Sequence, residues 1–119
     1  MKQDFLLIDG YTNDFVREVF NRTERHQPDV SVEFSECIEM TAFELAEQLV
    51  TGQVESDKDA VRIPIDEYVK DFLKDIYETY QDNDGRLFIS YEFSEMLEQF
   101  LYTLGEYLVR ADFNNPFCY

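Results

Sequence analysis

Histidine occurs once in this 119-residue chain, at His26, and tryptophan does not occur at all. Cysteine is confined to Cys37 and Cys118, and the four glycines are widely separated. Each shortage excludes a class of chemistry. A structural zinc site needs His and Cys at close, regular spacing, which these residues do not provide. A phosphate-binding loop needs several glycines within a few residues, and Gly10, Gly52, Gly85 and Gly105 stand alone. A secreted domain this small would carry a denser disulfide framework, so reduced thiols are expected, with one Cys37–Cys118 bridge open if the C-terminal tail folds back. No apolar run approaches the length of a membrane span, and "MKQDFLLIDG" is too short and acidic for a signal peptide. The expectation is a soluble, cytoplasmic protein.

Positive charge is the other shortage. Ten Lys and Arg face 26 Asp and Glu, for a formal net charge of −16. Such a surface repels nucleic acid and anionic membrane, so neither is an expected direct partner. It attracts basic proteins and speeds their association by steering. The deficit is uneven. From Gln27 to Asp57 there is no Lys or Arg, while Asp29, Glu33, Glu36, Glu39, Glu44, Glu47, Glu55 and Asp57 accumulate; Arg17, Arg22 and Arg25 sit together nearer the N-terminus. What the chain does have is apolar material, 45% hydrophobic and 16% aromatic, with Phe and Tyr in quantity. That suffices for one domain, 1–119, around one core, and it is too aromatic for a disordered chain.

Periodicity places the elements. "DFLLID" (4–9) reads as a short strand ended by Gly10. Thr12 or Asn13 can cap a helix to about Arg22, with Phe15, Val16, Val19 and Phe20 at helical spacing. "RTERHQPD" is a polar loop. "VSVEFSECIEM" (30–40) alternates, which predicts a strand with one acidic face and a bulge or end at Glu36. Thr41 and Glu44 form a capping box for a helix over 42–50, with Gly52 placed to stop it. "GQVESDKDA" is a loop, and "VRIP" is extended because a residue before proline avoids helical angles. Pro64 suits the entrance of a helix carrying Ile65, Tyr68, Val69, Phe72, Leu73, Ile76 and Tyr80 on one stripe. Phe93, Met96, Leu97, Phe100, Leu101, Leu104 and Leu108 make a second stripe. Phe113, Phe117 and Tyr119 of the tail are expected to dock on the body. The predicted class is α+β, mainly helical. About four helices accompany one or two short strands, and the long helices 65–81 and 90–110 pack as a helical hairpin.

Between those helices, "YQDNDGRLFISYEF" (80–93) resembles an EF-hand calcium loop. With Gly85 sixth, Asp82 and Asp84 fall at the third and fifth ligand positions and Leu87 at the apolar eighth. The first position is then Tyr80 and the twelfth Tyr91, so the two carboxylates that contribute most are missing. The favoured reading is a connector: Asn83-Asp84-Gly85 turns, 86–89 runs briefly extended, and Ser90 caps the last helix. No metal or cofactor is expected.

The acids follow a pattern on the predicted helix surfaces. Glu67, Asp71, Asp75 and Glu78, with Asp82 and Asp84 beyond, lie opposite the apolar stripe; Asp71, Asp75, Glu78 and Asp82 are spaced by four, three and four, along one edge. Lys70 and Lys74 can pair with Glu67 and Glu78. On the last helix Tyr91, Tyr102 and Val109, interleaved with Glu95 and Glu98, oppose the core. Tyrosine is enriched at interface hot spots, and cover by a neighbouring element is the competing reading. A solvated polar face explains any one helix. Acidity outside every element favours a partner, so Glu67, Asp71, Asp75, Glu78, Asp82, Asp84, Tyr91, Glu95, Glu98 and Tyr102 are the candidate partner-binding residues.

No catalytic constellation accompanies them: His26 lies in a polar loop, neither Cys has a motif, and carboxylates are too many for any pair to be informative. In size, acidity and lack of catalytic residues the chain resembles bacterial immunity proteins that neutralise nuclease toxins, including those of contact-dependent growth inhibition systems. That resemblance rests on these general features and assigns no residue. It implies a non-catalytic antitoxin that occludes the nucleic-acid-binding or active site of a basic cognate nuclease. Two alternatives stay open: a phage-type nucleic-acid mimic aimed at a defence or repair protein, and a calcium-binding or structural module. Monomer and homodimer are both compatible with the long amphipathic helices.

Overall fold

The computed structural model describes residues 5–26, 31–52 and 60–114, and side chains as far as Arg110. Six elements follow in order: β1 (Phe5–Ile8), α1 (Gly10–Glu24), α2 (Val32–Thr51), β2 (Val61–Pro64), α3 (Glu67–Asp82) and α4 (Tyr91–Asn114). The fold is therefore mainly helical α+β, with four helices and one two-stranded sheet among the described residues. Among the described residues no helix is long and apolar enough to cross a membrane.

β1 and β2 pair antiparallel, with Phe5 opposite Pro64 and Ile8 opposite Val61. Leu6, Ile8 and Ile63 point into the core, as period-two alternation requires. A side chain on α2 extends this small sheet. The Leu7 N–H donates to Gln48 Oε1 at 2.8 Å, and Gln48 Nε2 donates back to the Leu7 carbonyl at 3.0 Å. Backbone groups that would be costly to leave unmade are satisfied there, and α2 is pinned to β1.

Helix entrances are set by short polar side chains. Asp9, not Thr12 or Asn13, caps α1, accepting from the Thr12 N–H at 2.7 Å, and Gly10 opens the helix rather than ending the strand. Thr12 is buried instead. Asp66 caps α3 through the Val69 N–H at 2.9 Å, so Pro64 closes β2 and does not begin the helix. Ser90 caps α4 as expected, accepting from the Phe93 N–H at 3.1 Å.

The largest correction concerns residues 30–40. No strand with an acidic face forms in the described part of this segment; α2 begins at Val32 and runs unbroken to Thr51, stopped by Gly52 in the left-handed region at φ 68°. Its cap is Ser31, which accepts from the Phe34 N–H at 3.2 Å. Thr41 lies buried in mid-helix, so Thr41 and Glu44 form no capping box, and Glu36 marks no bulge. The alternation hid a helical series: Ile38, Thr41, Ala42, Leu45 and Ala46 face the core, whereas Val32 and Met40, inward in a strand, stand exposed. Strand propensity is a weak preference, and packing of α2 on α3, α4 and β1 overrides it.

The most extensive helix contacts are α1 on α4 and α2 on α3. Aromatic pairs bridge four of the helix pairs. Phe15 meets Phe34 between α1 and α2 at 5.3 Å, and Phe43 stacks on Tyr80 at 3.7 Å and on Tyr77 at 5.8 Å between α2 and α3. Phe72 of α3 touches Phe93 and Phe100 of α4 at 5.9 and 5.7 Å. Phe20 meets Tyr102 between α1 and α4 at 5.1 Å. The two long helices thus touch through the Phe72 ring, while α3 packs chiefly on α2 and α4 chiefly on α1.

The closest approach is at Gly105. A Cβ there would lie 2.1 Å from the Val16 carbonyl oxygen and 2.9 Å from Phe20 Cβ. Glycine in mid-helix ordinarily costs about 1 kcal/mol relative to alanine, a cost that here lets two backbones meet. The expected docking of Phe113, Phe117 and Tyr119, the 53–59 loop and Cys118 lie outside the described residues and side chains; Cys37 is a free, half-buried thiol. Gly105→Ala is expected to destabilise the fold by roughly 2 kcal/mol or more, because the clash is with backbone and exceeds the propensity gain. The measurement is a shift in the urea midpoint at constant slope, and an unchanged midpoint would show that α1 and α4 can separate freely.

Candidate partner-binding surface

Helical geometry on α3 sets out the first part of the surface. Asp71, Asp75, Glu78 and Asp82 are all exposed, and their spacing brings successive carboxylates within about 6 Å along the axis. Ion pairs among the described residues link Arg22 with Glu18, Lys70 with Glu67 and Arg110 with Glu106. None reaches the row from Asp71 to Asp82. The expected Lys70–Glu67 pair forms at 3.4 Å, with the lysine stem buried; the expected Lys74–Glu78 pair is not among the described ion pairs.

Other bases are engaged elsewhere. Arg62 lies over the Phe5 ring at 3.9 Å and Arg22 over Phe34 at 5.4 Å, and Arg17 bonds to Asn13. Arg17, Arg22 and Arg62 are thus held in contacts away from α3, whereas Lys70 and Lys74 lie on α3 itself and Arg86 follows it in the turn. Like charges at this spacing destabilise a helix slightly, and a partner's cations would relieve them.

The second part is an open depression of about 990 Å³ between α3, α4 and the end of α1. Tyr68, Val69 and Phe72 of α3 form one wall, and Thr23 contributes at the far side. Glu92, Glu95, Met96, Glu98, Gln99, Phe100, Tyr102 and Thr103 of α4 form the rest. No lining residue is basic. Three predicted site residues, Glu95, Glu98 and Tyr102, meet in this depression. Glu67, Asp71, Asp75, Glu78 and Asp82 lie along α3 outside its lining, and Asp84 sits in the turn beyond. Tyr91 stands exposed at the start of α4, its hydroxyl held by Glu95, which raises its pKa.

Tyr68 and Met96 were expected in the two core stripes, and the structure instead leaves them 75% and 43% exposed. The cause is the geometry of the seam. α3 and α4 meet chiefly through the Phe72 ring, so residues at the flank of each stripe have no helix above them. Both positions satisfied the helical period, and only their place at the edge of a stripe distinguished them. Tyr102 is half covered, as one reading of the sequence required, but by α1: it packs on Phe20, and its O–H donates to Glu24 at 2.9 Å. The hydrogen bond from Tyr102 to Glu24 is the main reason its pKa is raised.

Not every acid faces outward. Glu39 accepts from the backbone N–H of Leu87 at 2.6 Å and of Phe88 at 3.4 Å, and so anchors the connector between the long helices. The Asn83–Gly85 turn is closed by a Gly85 N–H to Tyr80 carbonyl bond of 2.8 Å. Asp84 and Gly85 both have positive φ, as in a helix-ending turn of this type. Tyr80, where a calcium loop would place its first carboxylate, is stacked on Phe43. Among the described residues no group of three or more His, Cys, Asp or Glu is gathered as a metal site would need. Compared with known protein families, curated proteins and solved structures, the chain matches none.

Partial burial, with Glu95 nearby, raises the Glu98 carboxyl above its ordinary range. The folded chain then holds this proton more tightly than the unfolded one. Stability from this group is therefore present at low pH and lost as pH rises between the ordinary and the raised value. Glu98→Gln is expected to raise the melting temperature by about 1–3 °C at neutral pH and not at all below the carboxylate range. Thermal unfolding across pH checks this; an equal gain at both extremes would locate the effect in packing.

Proposed function

We propose that this chain is an acidic, non-catalytic immunity or antitoxin protein of the cytoplasm, which binds a basic toxin of nuclease type and covers the surface where that enzyme holds nucleic acid. The observation that carries the reading is the carboxylate row Asp71, Asp75, Glu78 and Asp82, exposed on one helix edge and reached by none of the ion pairs among the described residues. A nuclease presents Lys and Arg to phosphate oxygens. Carboxylates at comparable separations on a rigid helix offer the same bases an alternative set of acceptors. Long-range attraction between the acidic chain and a basic enzyme accelerates encounter.

The test begins with the basic proteins that the chain captures from its native host, purified and assayed for nucleic-acid cleavage. Stoichiometric addition of the chain is expected to abolish cleavage. The variant carrying Asp71→Lys, Asp75→Lys and Glu78→Lys should remain folded, since all three positions are exposed, but should associate about tenfold or more slowly and with a weaker salt dependence. Stopped-flow rates across ionic strength measure both. Unaltered rates in the triple variant would place the interface on another face, with the exposed acids of α2 as the next candidate. Cleavage that persists at saturating chain would refute inhibition, and inhibition of several unrelated DNA-binding proteins would identify a nucleic-acid mimic.

A further inference from the structure

We propose that the depression between α3 and α4 receives a basic amphipathic helix of the partner, its apolar face seated on Tyr68, Met96 and Phe100 and its Lys or Arg side chains set against Glu92, Glu95 and Glu98. This rests on the reading that the chain captures a basic protein, and adds to it the element by which that protein is held.

The walls determine the kind of occupant. They are helices whose backbone groups bond within themselves, so there is no open sheet edge for an incoming strand to extend, and recognition falls to side chains. Glu92 to Thr103 spans about 17 Å of helix axis, room for roughly three turns of a partner helix. Apolar residues repeating every three or four positions would meet the exposed Tyr68 ring and the adaptable Met96 thioether. Charge selects among such helices: the lining holds three glutamates and no Lys or Arg. An acidic or neutral helix would leave those carboxylates partly desolvated without a counter-charge, whereas a basic one pairs with them. Glu95 and Glu98 lie side by side in this lining, like charges that a cation relieves. A second copy of this chain would bring the same large negative charge and is disfavoured as occupant.

Two synthetic peptides of roughly fourteen residues and identical composition provide the probe. In one, the leucines fall on a single helical face between lysines; in the other, the order is scrambled. Fluorescence anisotropy is read at about 0.15 M salt, where loose attraction to an acidic surface is screened. The amphipathic peptide is expected to bind the parent chain at least about tenfold more tightly than the scrambled one. That advantage should vanish in Tyr68→Ala/Met96→Ala, whose melting temperature should stay near the parent's because both side chains are exposed, and should persist in the Asp71→Lys/Asp75→Lys/Glu78→Lys variant. Equal affinity of both peptides for the parent overturns the proposal, as does an advantage that survives Tyr68→Ala/Met96→Ala. Sedimentation showing a dimer that this double variant disperses would assign the depression to a second copy and likewise overturn it. Failure on any of these grounds, with capture still slowed by the triple reversal on α3, refutes the depression as anchor and leaves the proposed function standing.

Discussion

The crossing of α1 and α4 at Gly105 is the constraint from which the other contacts follow. With no side chain at that point, the Val16 carbonyl comes within 2.1 Å of where a Cβ would lie. A larger residue would force the helices apart. The Phe20–Tyr102 ring contact and the Tyr102–Glu24 hydrogen bond belong to the same seam and depend on the same approach. So does the depression, whose far side is formed by Thr23 at the end of α1 and by Tyr102 of α4.

Around that crossing the chain uses its aromatic residues as spacers. Ring pairs join α1 to α2, α2 to α3, α3 to α4 and α1 to α4, and each is worth about 0.5–1.5 kcal/mol beyond the area it buries. Rings also fix distances. Where α3 and α4 meet on Phe72, its bulk fills the middle of the seam and leaves Tyr68 and Met96 uncovered at the side. The exposed apolar surface is thus a consequence of how the core is closed, bordered by carboxylates that keep it wetted.

The acids divide by their surroundings. Glu39 is bound to backbone N–H groups of the connector, Asp9 and Asp66 cap helices, and Glu18, Glu67 and Glu106 sit in short-range ion pairs along their own helices. Among the described residues the row on α3, with Glu92 and Glu98 of the depression, has no such assignment, and Glu95 accepts from the Tyr91 hydroxyl. A uniform excess of negative charge would serve solubility alone. An excess that meets no ion pair among the described residues on one helix edge, beside one apolar depression, is what the proposed function rests on.

Much of this was legible from residue order. Local signals sufficed wherever one periodicity stood alone: the α3 and α4 stripes, the extended "VRIP", the Gly52 stop, the Ser90 cap, and the turn at Asn83–Gly85. Composition likewise determined the charge and the apolar content for a single core. Residues 30–40 were misread because valines and alternating polarity fit a strand as well as a helix, and the choice was made by what α2 packs against. Tyr68 and Met96 obeyed the helical period, yet whether a stripe's flank is covered depends on a neighbouring helix that residue order does not locate. The same holds for Gly105, Gln48 and Glu39, whose partners lie far along the chain. Sequence decides what each segment can be. Tertiary structure decides which face is covered and which acids are already occupied, because burial and pairing are properties of two segments brought together.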